Sequence, residues 1–189
     1  FTEDYCGYID CNTLRAGYPE GKRASESLCQ AYIQKYGIDV VIPRISRTFG
    51  PTMLLSDSKA SSQFIMNAVH KENIVLKSAG TQLYSYAYVA DIVSALLFLL
   101  VKGQKGEAYN VSNEHCDITL RTFAETLANV AGTKVIHGEA TAQEKQGFSK
   151  ATKALLDNQK IYALGWRPLY DSMEEPLKHT IKILEGSGN

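Results

Sequence analysis

The sequence lacks any grouping of cysteine and histidine that suggests a metal centre. None of its four cysteines belongs to a Cys-x-x-Cys pair, and its four histidines stand apart from one another. His115 and Cys116 are adjacent, but two neighbouring residues do not make a closed metal site. The pattern therefore favours free thiols in a reducing cytoplasm. The cysteines are Cys6, Cys11, Cys29 and Cys116.

Charge of one sign is not in excess either. Lys and Arg together number 20, Asp and Glu together number 20, and the formal net charge is zero. We therefore expect no nucleic acid and no anionic membrane as a bulk electrostatic partner. One or two well-placed cations can still form a local anion site without changing that total.

A long hydrophobic run is absent too. The most apolar stretch, Val89 to Val101, has 13 residues and contains Asp91 and Ser94. It is too short and too polar to span a bilayer, and we predict a buried helix there. The first residues contain no basic region followed by an apolar one, so we do not expect a signal peptide.

Helical and extended patterns alternate along the chain, which indicates an α/β fold. Gly37 is a natural stop for the first helix, and Phe49-Gly50-Pro51 forces a turn after the first strand. The strands are few and short, so we expect a partial sheet with a lid rather than a complete doubly wound domain. Helices are predicted from Pro19, at 59–71, 89–101, after Thr119, at 157–164 and at 171–184. Extended segments are predicted at 38–45, 74–76, 84–88, 106–111 and 134–136, loop with some helix at 141–153, and a flexible tail at 186–189.

Tyr18 and Lys22 are spaced one helical turn apart, which places both side chains on one face of the first helix. A tyrosine has to lose its proton to act as a base, and a nearby ammonium favours the phenolate. The spacing alone is weak evidence, because 11 tyrosines and 14 lysines in 189 residues give 11 × 14/189, roughly 0.8 such pairs by chance. The alternative is an ordinary Tyr–Lys pair on a solvated face.

Five sequence blocks follow one another in order and cover nearly the whole chain. The first is Tyr18-x-x-x-Lys22 followed by a small residue and Glu26. The others are Arg44-Ile-Ser-Arg-Thr-Phe-Gly-Pro51, Gly80-Thr-Gln82 with Tyr86-Ala-Tyr-Val-Ala-Asp91, Glu107-Ala-Tyr-Asn-Val111 and Leu164-Gly-Trp166. Together they resemble the extended short-chain dehydrogenases of the NAD-dependent epimerase/dehydratase family, and the first block resembles the active-site helix of that family. The likeness is strongest to nucleotide-sugar 4,6-dehydratases and UDP-glucuronate decarboxylases.

The resemblance implies the C-terminal part of a Rossmann-type α/β enzyme together with its small substrate-binding lobe. It assigns 1–50 to the end of the Rossmann-like core and 51–189 mainly to the lobe for a nucleotide sugar. It also implies oxidation of the sugar at C4 with NAD as the cofactor, followed by epimerisation, dehydration or decarboxylation. Tyr18 is then the base for the 4-hydroxyl proton, and Lys22 holds the nicotinamide ribose and favours the phenolate. A homodimer is implied for the full-length protein.

The sequence departs from the family at its front. No Gly-x-Gly-x-x-Gly or Gly-x-x-Gly-x-x-Gly occurs among its 14 glycines, so the fingerprint that seats a pyrophosphate on a helix N-terminus is absent. Glu3-Asp4 resembles the acidic position that follows the family's Ser/Thr, so we expect the chain to start just downstream of that residue. We therefore expect an inactive fragment.

Four further residues are predicted to bind substrate: Arg47, Lys59, Tyr84 and Asn110. Arg47 stands where the family usually has Asn, and Tyr84 where it often has Arg, so Arg47 is expected to supply the phosphate-binding charge that position 84 lost. The alternative is that Arg47 faces solvent or pairs with a carboxylate. Lys59 aligns with a nucleotide-contacting Arg, and Asn110 has a strand-end structural role as its alternative. The aromatics at 84, 86 and 88 either stack on a base or pack in the core.

Two other functions fit the same residues. One is a non-catalytic nucleotide-binding or scaffold module that keeps the lobe alone. The other is a reductase that acts on a smaller carbonyl substrate without a nucleotide. Binding of UDP, dTDP and NAD distinguishes the reductase from the nucleotide-sugar enzyme, whereas the reading frame upstream of Phe1 in the gene distinguishes the module from it.

Overall fold

The computed structural model describes residues 1–13, 16–146, 148 and 151–186, which form an alternating series of helices and strands. This alternation confirms the α/β class predicted from the sequence. The helices are α1 (Gly17–Tyr36), α2 (Ala60–Val69), α3 (Val89–Lys102), α4 (Leu120–Ala131), α5 (Ala142–Gln146), α6 (Gln159–Ala163) and α7 (Glu174–Gly186). The strands are β1 (Ile42–Ile45), β2 (Arg47–Phe49), β3 (Ile74–Leu76), β4 (Leu83–Tyr88), β5 (Ala108–Val111), β6 (Asn113–Thr119), β7 (Val135–His137) and β8 (Lys153–Ala154).

The described strands fall into three small sheets. In the first, β1 lies parallel to β5, with Ile45 opposite Val111. In the second, β4 runs parallel to β2 and to β8 and antiparallel to β6. The third pairs β3 with β7 in parallel. Parallel neighbours need a crossover connection, and helices supply those connections here.

Helix α1 ends where the sequence predicts. Gly37 adopts the left-handed conformation at φ 68°, and its N–H donates to the carbonyl of Ile33 at 2.9 Å. Glycine accepts this conformation without the steric cost of a Cβ. None of the 20 residues of α1 is buried, and side-chain hydrogen bonds of Glu26 and Gln30 connect the helix to the rest of the molecule.

Two clusters of buried side chains form the core. The larger packs the aromatic side chains of β4 against α2, α4 and α7, and the smaller packs α3 against β5 and α6. Helix α4 begins with the cap predicted from the sequence, because the Thr119 hydroxyl accepts the N–H of Thr122 at 3.0 Å. Burial of one apolar face on each of these five helices is the main stabilising contribution to the two clusters.

Three strands were not predicted from the sequence: β2, β6 and β8. Strand β6 is polar, so its own residues carry no clear period-two pattern, and pairing with β4 places it in the sheet. Strand β2 has three residues and follows β1 directly, next to the turn that was predicted at Phe49–Pro51. That turn brings Gly50 so close to Val89 that a Cβ at position 50 would lie 2.5 Å from Val89 Cγ1.

The prediction of a buried helix at 89–101 is wrong for one face of α3. Leu97 is 61% exposed and Leu100 82% exposed, because α3 packs only its opposite face against the sheet. No helix among the described residues is long and apolar enough to cross a membrane. Helix α7 begins at Glu174 rather than at Asp171. Of the tail predicted at 186–189, Gly186 is the last residue of α7, and residues 187–189 lie outside the described residues.

Candidate active site

Tyr18 and Lys22 lie in the first two turns of α1. The Lys22 Nζ atom is 5.5 Å from the centroid of the Tyr18 ring, so the structure brings the two side chains together as their spacing predicts. Tyr18 is 77% exposed, which leaves its hydroxyl open to a ligand. Their catalytic role stays a prediction.

A bidentate ion pair fastens α1 to β1. The Arg44 Nε and Nη2 atoms donate to the two carboxylate oxygens of Glu26 at 2.9 and 2.7 Å, and Nη1 donates to the carbonyl of Glu3 at 2.6 Å. The hydrogen bonds from Arg44 lower the pKa of Glu26, and the reciprocal bonds raise the pKa of Arg44. A fork-to-carboxylate pair fixes orientation as well as distance. The pair therefore sets the position of the helix that carries Tyr18.

Glu26 positions helix α1, and the sequence identified it only as the last residue of the block that begins with Tyr18 and Lys22. It lies one turn beyond Lys22, so the four-residue spacing of Tyr18, Lys22 and Glu26 was the available signal. Its partner Arg44 is 18 residues away, and no local pattern indicates that pairing. A second bond, from Gln30 Nε2 to the carbonyl of Gly106 at 2.7 Å, ties the middle of α1 to the segment before β5.

Asn110 lies buried in β5, and its side-chain amide already has two acceptors. Its Nδ2 donates to the carbonyls of Phe1 and Asp157 at 2.9 and 3.0 Å, while its backbone N–H donates to Glu3 Oε1 at 2.7 Å. These bonds hold the N-terminal segment near the carboxyl end of the β1–β5 pair, where α/β proteins commonly bind ligands. They favour the strand-end structural role over substrate contact, and substrate binding by Asn110 stays a prediction.

Arg47 and Tyr84 are in direct contact. The guanidinium carbon of Arg47 lies 3.6 Å from the centroid of the Tyr84 ring. Tyr84 is buried, and its hydroxyl donates to the carbonyl of Ala151 at 3.2 Å. Among the residues that the structure describes, none accepts a hydrogen bond from Arg47 or forms an ion pair with it. The carboxylate pairing considered for Arg47 is therefore not observed in that part of the chain.

The aromatic side chains of β4 are packed inside the protein. Tyr84, Tyr86 and Tyr88 all belong to the larger core cluster, and burial raises the pKa of Tyr86 to about 12. Neighbouring side chains pack against these rings. Tyr84 and Tyr86, for example, make an edge-to-face contact with their ring centroids 6.4 Å apart. Core packing, one of the two roles considered from the sequence, is what the structure displays.

Lys59 is exposed and occupies the cap position before α2. Its Nζ atom lies 2.9 Å from Asp57 Oδ2, and its backbone N–H donates to Asp57 Oδ1 at 3.0 Å. These two bonds from Lys59 lower the pKa of Asp57. An exposed pair of this kind is weak and exchangeable. A nucleotide phosphate can therefore compete for Lys59, whose role stays a prediction.

Asp91 is a buried carboxylate that the sequence named only as part of a motif. One oxygen accepts the Leu169 backbone N–H at 2.7 Å and the other accepts Asn113 Nδ2 at 3.3 Å. Burial raises the pKa of Asp91 despite these bonds. These bonds join α3, β6 and the loop before α7, and they give Asp91 a structural role. Among the described residues, no three His, Cys, Asp or Glu side chains are grouped so that they could hold a metal ion.

Comparison with known proteins defines the class. The model of the NAD dependent epimerase/dehydratase family matches residues 2–112. This chain belongs to that family.

Two relatives are similar over most or all of this chain. UDP-glucuronic acid decarboxylase 1 of Xenopus tropicalis is 31% identical over 194 aligned residues, which cover 100% of this chain and 44% of the relative. UDP-glucuronic acid decarboxylase 6 of Arabidopsis thaliana is 32% identical over 173 residues, 88% of this chain and 47% of that protein. The chain thus spans less than half the length of these two relatives.

Solved structures confirm the fold. UDP-glucose 4-epimerase of Thermotoga maritima, solved with UDP-glucose, superposes with a TM-score of 0.78 at 22% identity, over 91% of this chain and 54% of that one. UDP-N-acetylglucosamine 4-epimerase of Methanobrevibacter ruminantium, in complex with UDP-N-acetylmuramic acid, gives 0.79 at 19% identity, over 100% and 60%. Identities this low support the fold alone. The match confirms the Rossmann-type short-chain dehydrogenase architecture that the sequence blocks predicted.

Proposed function

We propose that this chain supplies the tyrosine–lysine helix and the nucleotide-sugar lobe of an enzyme that oxidises a UDP-linked sugar at C4 with NAD. The observation that carries the proposal is the contact between Tyr18 and Lys22 at the open end of α1, with Arg44 and Glu26 fixing the helix. The names of the similar UDP-glucuronic acid decarboxylases support uridine as the base and a glucuronate unit as the sugar.

The chemistry asked of these residues is a proton transfer and a binding interaction. The Tyr18 phenolate takes the proton of the sugar 4-hydroxyl as the C4–H bond breaks. The Lys22 ammonium donates hydrogen bonds to the nicotinamide ribose and stabilises the phenolate. NAD supplies the acceptor for the hydride that leaves C4. Since Tyr18 and Lys22 are both exposed, they fit that end of the cofactor, whereas the 189 residues contain no glycine fingerprint for its pyrophosphate.

Because the 189 residues contain no fingerprint for the NAD pyrophosphate, we assign only part of the enzyme to this chain. We assign 1–50 to the end of a Rossmann-like core and 51–189 mainly to the substrate lobe, and we expect no turnover from the 189-residue chain alone.

A homodimer through α1 is part of the proposal, and the 59% exposure of Leu28 and 53% exposure of Tyr32 support it. The free thiols of the described cysteines fit the proposed cytoplasmic location.

Calorimetric titration of the 189-residue chain with UDP, dTDP and NAD tests the proposal. We expect UDP to bind, dTDP to bind more weakly, and NAD to give no measurable heat. A chain that binds neither nucleotide contradicts the nucleotide-sugar lobe. A chain that binds NAD tightly, or oxidises a UDP-sugar on its own, contradicts the proposal that this chain is only the C-terminal part of the enzyme.

A further inference from the structure

The guanidinium of Arg47 lies over the ring of Tyr84, and no acceptor among the described residues takes its N–H groups. Its carbon lies 3.6 Å from the Tyr84 ring centroid, which is close enough for a stacked, planar contact. In the described part of the chain, no carboxylate pairs with Arg47 and no acceptor takes its N–H groups. A guanidinium stacked on a ring keeps its N–H donors in its own plane, parallel to the ring, where they can still reach a ligand at the side.

The ring beneath Arg47 is itself fixed. Tyr84 is 5% exposed, its hydroxyl donates to the Ala151 carbonyl at 3.2 Å, and its ring makes an edge-to-face contact with Tyr86. Tyr84 is also paired in the ladder between β4 and β8. A fixed ring leaves the long Arg47 side chain less freedom to lose when it binds a ligand.

The location of the stack favours an anionic ligand. Strand β2 starts one residue after β1, and the Ser46 N–H donates to the Val111 carbonyl at 2.9 Å, so Arg47 follows the carboxyl ends of the parallel pair β1–β5. Ligands of α/β proteins commonly bind beyond these strand ends. A planar fork of free N–H donors matches the two oxygens of a phosphate.

We infer that Arg47 binds the diphosphate of the nucleotide sugar and that Tyr84 is a positioning residue, which acts by holding the guanidinium plane. This inference rests on the proposed function, because it takes a uridine diphosphate as the ligand. It adds that the ring of Tyr84, and not its hydroxyl, sets the affinity for phosphate.

The test is calorimetric titration of the 189-residue chain and its variants with UDP and with uridine, which has no phosphate. Arg47→Ala should weaken UDP binding at least roughly tenfold. Arg47→Lys keeps the charge but not the planar fork, and should weaken it several-fold. Tyr84→Phe keeps the ring and should bind UDP like the parent chain, whereas Tyr84→Leu should lose roughly threefold to tenfold. Uridine affinity should be equal in all of them.

The double variant separates positioning from a general structural effect. Arg47→Ala with Tyr84→Leu should bind UDP no more weakly than Arg47→Ala alone, because the ring acts only through the guanidinium. Additive losses, or a loss of uridine affinity in Tyr84→Leu, overturn the inference. If Tyr84→Leu does not fold, parent-like UDP binding by Arg47→Lys overturns it instead. A parent chain that binds no UDP refutes the proposed function, which is a different outcome from a parent chain that binds UDP independently of Arg47.

Discussion

Replacing Glu26 with glutamine should loosen α1 without unfolding the protein. The change removes the charge from a pair in which Arg44 makes two hydrogen bonds, at 2.9 and 2.7 Å, while the bond from Arg44 to the Glu3 carbonyl remains. Hydrogen bonds to charged groups contribute about 1.5–3 kcal/mol. Both side chains are 32% exposed, so solvent screening reduces that value to about 1 kcal/mol. This corresponds to a roughly fivefold larger opening equilibrium for α1.

Hydrogen–deuterium exchange measured by mass spectrometry checks this number on peptides from residues 27–36. The matched control is Glu20→Gln, the same chemical change in the same helix at a residue that does not contact Arg44. We expect faster exchange in α1 for Glu26→Gln and no change at 27–36 for Glu20→Gln. Equal exchange in parent and Glu26→Gln, or equal acceleration in both variants, refutes the positioning role of the pair.

The same pair makes α1 sensitive to acid. Because Arg44 lowers the pKa of Glu26 in the folded protein, the stabilisation is fully present above the unfolded pKa of about 4.3. It is lost as pH falls through the lower, folded pKa. Protection of α1 should therefore fall in that acid range in the parent chain, and Glu26→Gln should lack this step.

Two further predictions concern buried groups. Asp91→Ala leaves the Leu169 N–H without its acceptor and should lower the free energy of unfolding by about 3 kcal/mol, measured by urea denaturation; a loss below about 0.5 kcal/mol would be inconsistent with the network. Burial raises the pKa of Cys116 to about 12, so a thiol reagent at neutral pH should modify exposed Cys6 quickly and Cys116 only after unfolding. Equally fast modification of both thiols would contradict the placement of Cys116.

Local chemistry explains which elements could be predicted from the sequence. The stop at Gly37 and the cap at Thr119 depend on the conformational and hydrogen-bonding properties of single residues, and both were confirmed. Strand β6 depends on pairing with β4, a contact between distant residues that its polar sequence does not encode locally. The exposed face of α3 was missed because an apolar helix predicts burial without indicating what covers it.

The candidate site divides in the same way. The contact of Tyr18 with Lys22 follows from helical spacing and was predicted. The contact of Arg47 with Tyr84 joins positions 37 residues apart in sequence. Only the hypothesis that Arg47 supplies the charge missing at position 84 pointed to it. The use of both Asn110 amide hydrogens by backbone carbonyls depends on how the N-terminal segment folds back, which no local pattern indicates.

Turnover is the most direct test of the claim that Tyr18 is the base for C4 oxidation. The protein produced from its whole gene would be assayed with a UDP-linked sugar and NAD, beside its Tyr18→Phe variant, with Tyr32→Phe as the control on the same helix. Tyr18→Phe should lower kcat by about 10²–10⁴, the usual contribution of a general base, while Tyr32→Phe keeps parent activity. A Tyr18→Phe enzyme that retains kcat within about twofold of the parent contradicts the account.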